Sequence, residues 1–97
     1  MEIDVPAQLY TPGGKHSIKV SLNGFAGMIS YFDPERSEVL IVGKQCSLTF
    51  AKRRWFFSDF WITDNLNSPP LWKHKLTVYK SDADQVIQAL AVLYPAR

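Results

Sequence analysis

The chain has 97 residues, 46% of them hydrophobic and 21% charged, with a formal net charge of +2. That length holds one core and one domain, 1–97, and the composition argues against disorder and falls short of the strongly basic balance of a protein wholly given over to nucleic acid. The first residues, Met1 to Pro6, carry acidic side chains and no apolar stretch, so neither a signal peptide nor a membrane span is expected. A single cysteine, Cys46, forms no intramolecular disulfide, and the expected location is the cytoplasm.

Residues 1–15 read as an extended N-terminal arm, because Pro6, Pro12 and Gly13-Gly14 interrupt any helix. From His16 to Leu22 apolar Ile18, Val20 and Leu22 alternate with polar Ser17, Lys19 and Ser21, which predicts a half-buried strand. Asn23-Gly24 then signals a hairpin into a strand over about 27–32. Asp33-Pro34-Glu35-Arg36 is a turn, and the β-branched run 38–42 predicts a central strand covered on both faces.

Residues 44–63 carry two patterns. As strands they place Trp55, Phe57, Asp59 and Trp61 on one face and Phe56, Ser58, Phe60 and Ile62 on the other. As a helix they align Leu48, Ala51, Trp55, Ser58 and Ile62, and the aromatic and β-branched content favours strands. A loop over 64–70 and a strand over 75–79 follow. Ser81 as N-cap, with Asp84 three residues on, predicts a helix over 81–94 ended by Pro95 and buried along Val86, Ile87, Leu90, Leu93 and Tyr94. The expected fold is α+β: an antiparallel sheet of about four to six strands with a C-terminal amphipathic helix packed on one face.

Little in the chain suggests catalysis. Cys46 has no base beside it, His16 and His74 read as solvated residues at strand starts, and the pairs Asp59/Asp64 and Asp33/Glu35 sit at turn-like or exposed positions. No paired metal-ligand spacing occurs, and Gly13-Gly14-Lys15 lacks the rest of a phosphate-binding loop. Hence no enzyme, no metal and no cofactor is expected.

Two surfaces suggest binding. Lys52-Arg53-Arg54-Trp55-Phe56-Phe57, continuing to Phe60-Trp61, with Trp72-Lys73-His74-Lys75 beyond the next loop, mixes cations for phosphates with rings for unpaired bases, the chemistry of single-stranded nucleic-acid binding. Its contact candidates are Lys52, Arg53, Arg54, Trp55, Trp72, Lys73 and Lys75. Asp33, Glu35 and Glu38 gather carboxylates around one turn, where they would stand in for phosphates on a basic partner.

In its small size, α+β pattern and lack of a catalytic motif, the chain resembles phage-encoded anti-CRISPR proteins of the type I-F group. The turn Asp33-Pro34-Glu35-Arg36 and the triplet Lys52-Arg53-Arg54 are the contact candidates. That resemblance implies a non-catalytic inhibitor that binds Cas proteins of a crRNA-guided surveillance complex in the host cytoplasm. It would block target DNA sterically or by local DNA mimicry through Asp33, Glu35 and Glu38. Basic-aromatic strands followed by a final helix are also similar to pleckstrin-homology-like domains, although the phosphate-binding hairpin of that family has no clear counterpart.

Overall fold

A computed structural model describes residues 2–95. Seven strands precede one helix: β1 (Glu2–Thr11), β2 (Gly14–Asn23), β3 (Met28–Asp33), β4 (Glu38–Ile41), β5 (Cys46–Arg53), β6 (Phe57–Asp64), β7 (Lys73–Tyr79) and α1 (Lys80–Leu93). All strand pairs are antiparallel, in the order β4-β3-β2-β1-β7-β6-β5. β4 and β5 are opposite edges, yet Val42 bridges Cys46 and the Gly43 N–H donates to the Cys46 carbonyl (2.7 Å). The edges therefore meet at one end, and the sheet is curled into a half-barrel.

Alternation decides what the curl encloses. Val5, Ala7 and Leu9 of β1, Val20 and Leu22 of β2, Phe60 and Ile62 of β6, and Leu76 and Val78 of β7 face inward and are buried. Helix α1 packs on this face through Ala83, Val86 and Ala89, small enough to bring its backbone close to the sheet. Gly27 (φ +64°) completes the fit: a Cβ there would lie 2.7 Å from the Leu93 nitrogen, so no larger residue is accommodated.

The structure corrects four expectations. The sheet has seven strands, because residues 2–11 form not an arm but the central strand β1. Pro6 lies just outside Ala7–Tyr10, the stretch that pairs with β7, where β1 has a partner on one side only and a strand tolerates proline. The run 38–41 is not central but the edge strand β4, with Val39 exposed on the outer side. The helix starts at Lys80, with extended Tyr79 as its N-cap and no side-chain cap, since the Lys80 N–H donates to the Phe56 carbonyl (2.9 Å). Ser81 therefore lies inside the first turn. Tyr94 ends the helix half-exposed instead of joining its buried stripe.

Residues 46–53 and 57–64 are strands, as their aromatic content suggests, the hairpin after Asn23 and the turn after Asp33 lie where the pattern places them, and the strand expected over 75–79 begins two residues earlier, at Lys73. Among the described residues no helix is long and apolar enough to cross a membrane.

Candidate functional site

Register stacks the outward side chains of the central strands into rows. One row reads Lys15, Tyr10, Lys75, Trp61, Thr49 across β2, β1, β7, β6 and β5. The neighbouring row reads Ser17, Gln8, Thr77, Asp59, Lys52. Lys73 and Thr63 flank the first row, and Tyr79 and Phe57 lie beyond the second.

Cations and rings touch throughout this face. Lys75 Nζ sits 4.5 Å from the centre of the Tyr10 ring, Lys73 Nζ 4.3 Å from Trp61, and the Arg54 guanidinium 5.4 Å from Phe57. Phe57 stacks on Tyr79 with centroids 5.4 Å apart. Trp61 is 37% exposed although it stands on an inner strand of the sheet.

Asp59 is the single carboxylate in these rows, and it is spent internally. It accepts from Arg54 Nη2 (2.8 Å) and from the Thr77 hydroxyl (2.7 Å) and is buried. Burial pushes its carboxyl up, but the two hydrogen bonds and the charges of Arg54 and Lys75 outweigh this and leave it below the usual carboxylate range. It stays ionised and covered, so it repels an incoming anion little.

The basic triplet does not share a face. A bulge between Phe50 and Lys52 puts Lys52 in the outer row opposite Asp59, while Arg53 pairs with inward Ser58 and approaches Asp84 (3.9 Å). Arg54 holds Asp59. Trp55 and Phe56 are not strand residues; they form the exposed tip between β5 and β6, at 84% and 68% exposure. Trp72 lies apart from these residues: it is half-buried at the other end of the barrel, stacked on His74 (4.9 Å) with Arg36 over its ring (4.8 Å). Lys73 and Lys75 do belong to the outer face.

The acidic turn is largely neutralised by its own surroundings. Asp33 is fully buried, its Oδ1 accepting the backbone N–H groups of Glu35 (2.9 Å) and Arg36 (3.3 Å), so it organises the turn and presents no charge to a partner. Glu35 accepts the Thr11 hydroxyl and lies 3.4 Å from His16 Nε2; that hydroxyl first, then His16, hold its carboxyl below the usual range. Of the three, Glu38 alone is exposed without a recorded bond.

Cys46, His74, Asp59 and Asp64 are all buried. Cys46 is fully buried, and burial followed by the charge of Asp33 pushes its thiol up to about 12. His74 is buried, not a solvated edge residue, and desolvation lowers its proton affinity. Asp59 and Asp64 are buried rather than exposed, and point to different work: Asp64 accepts from the Leu66 N–H (2.9 Å), the Asn67 amide (2.8 Å) and the Leu71 N–H (3.1 Å) and so shapes the loop before β7. Among the described residues no cluster of His, Cys, Asp and Glu is arranged to hold a metal ion.

Of the rings on this face, Trp61 lies within the basic-aromatic stretch of the sequence, whereas Tyr10 is the one that local pattern leaves out. Tyr10 lies in the segment read as an arm, and its partnership with Lys75 exists only once β1 pairs with β7. No protein-family profile, no curated protein and no solved structure matches this chain.

Proposed function

We propose that the protein binds single-stranded nucleic acid across the outer face of its sheet. The observation that supports this best is the row Lys15-Tyr10-Lys75-Trp61, in which cations and rings alternate across four neighbouring strands. Unpaired bases stack on rings without regard to sequence, while lysines track the phosphates. A lysine resting over a ring in the free protein is flexible enough to swing to a phosphate when a base takes its place. Duplex DNA hides the base faces, so the face favours single strands.

The test is a salt titration. Each phosphate neutralised on a single strand contributes about 0.7 to the slope of log K against log salt. The triple variant Lys15→Gln, Lys73→Gln, Lys75→Gln is expected to lower that slope by about 2 and to weaken binding at low salt. An unchanged slope overturns the assignment.

A protein-binding inhibitor is the second reading, and the exposed tip Trp55-Phe56 favours it, since large exposed rings beside cations anchor protein interfaces. The likeness to anti-CRISPR proteins would put such a contact on a crRNA-guided complex, with Lys52, Arg53 and Glu38 as the exposed charges that steer it. The two readings separate on the lysine variant: a contact made by the tip survives the loss of Lys73 and Lys75.

A further inference from the structure

Between the β5–β6 tip and the start of α1 lies an open groove of about 710 Å³, lined by Trp55, Phe56, Phe57, Tyr79, Ser81 and Asp84. This volume falls within the roughly 300–1,000 Å³ of small-ligand sites. Its walls are aromatic, and it is continuous with the outer face, because Phe57 and Tyr79 belong to both. A single strand crossing from Trp61 past Phe57 therefore arrives at this groove. Arg53 and Lys80 stand at its edge, where a phosphate would need them.

The polar side chains inside it are few. Asp84 projects from the rigid first turns of α1 and is 78% exposed, and its only recorded contact is Arg53 Nη2 at 3.9 Å, too long to occupy it as a hydrogen bond. A carboxylate accepts hydrogen bonds and donates none. Among the bases, guanine alone offers two adjacent donors, N1–H and N2–H, on its Watson–Crick edge. Adenine and cytosine each place an acceptor beside their amino group, and thymine and uracil place one N–H between two carbonyl oxygens.

We infer that this groove takes an unstacked guanine from the bound strand, with the base against the rings of Trp55, Phe56 and Tyr79 and its N1–H and N2–H donated to the Asp84 carboxylate. The inference rests on the single-strand reading above and adds a base preference to a face that has none.

The experiment compares oligothymidylate of about ten nucleotides with the same oligomer carrying one terminal guanosine, adenosine or cytidine, by fluorescence anisotropy at low salt. Guanosine is expected to tighten binding by about 5- to 10-fold, the lower end of a bidentate base contact at an exposed site. Adenosine and cytidine are expected to give no comparable gain. Asp84→Ala, at an exposed position, is expected to bring the guanosine-to-thymidine ratio to about one, as is Asp84→Asn, which turns an amide donor toward the guanine donors. If oligothymidylate binds but guanosine gives no advantage, or the advantage survives in Asp84→Ala, the groove assignment is wrong and the outer face stands. If oligothymidylate does not bind at all, the outer-face reading fails with it.

Discussion

Phe60→Ala is expected to lower the stability of the fold by about 3–5 kcal/mol, a large part of the roughly 5–15 kcal/mol that holds a domain together. Phe60 is fully buried at the centre of the inner face, between Phe50 and Leu76 on the neighbouring strands. Its ring meets Phe50 edge to face with centroids 5.5 Å apart. The sheet on one side and α1 on the other are both hydrogen-bonded frames, so neither collapses readily into the space the ring leaves. Urea denaturation followed by circular dichroism reads the loss as a lower midpoint at an unchanged slope. A midpoint close to that of the unsubstituted chain would mean that the helix does not close over β6 as described.

Trp61→Ala, one residue along, is expected to do the opposite: leave the midpoint nearly in place and weaken single-strand binding by roughly 5- to 150-fold, the 1–3 kcal/mol of a lost stacking platform. Alternation puts Trp61 on the outer face, and the ring contributes nothing to the enclosed core. Losing it also frees Lys73 from its place over the ring, so charge is retained while stacking is lost. Anisotropy with a short oligothymidylate measures the effect. Equal affinities for the variant and the parent chain would remove Trp61 from the site. The contrast between two adjacent residues is the useful part, because a general unfolding effect cannot produce it.

How far the sequence carries can be judged from particular elements. Ile18, Val20 and Leu22 against Ser17, Lys19 and Ser21 reveal β2 because one face meets the core and the other meets water. The turn at Asp33 is legible because its carboxylate bonds its own backbone, a strictly local matter. β1 was hidden by Pro6, which breaks a strand only where both neighbours are paired. β4 reads as central because β-branched residues mark a strand without saying how many neighbours it has. The helix was visible as a stripe, yet its first residue depended on a carbonyl from Phe56, more than twenty residues upstream.

The proposed binding face was legible only in part. Lys73, Lys75, Lys52 and Arg54 were in view as residues, but their meaning comes from register. Lys15, Tyr10, Lys75 and Trp61 come from four strands and form a row only after every strand has its partner. Trp72 looked equivalent to Trp61 by composition; the two differ because parity and the turn at Arg36 turn one inward and leave the other outside. In the same way Asp33 looked like a surface charge, and burial by its own turn makes it structural.

The most direct measurement is a two-dimensional amide NMR titration of the protein with oligothymidylate at low salt. The expected result is a set of shifts confined to the outer face, on Gln8, Tyr10, Phe57, Trp61 with its indole N–H, Lys75 and Thr77, which move together as the strand is added. Shifts gathered instead on the turn 34–38, or a spectrum that oligothymidylate leaves unchanged, would contradict the assignment of this face to single-stranded nucleic acid.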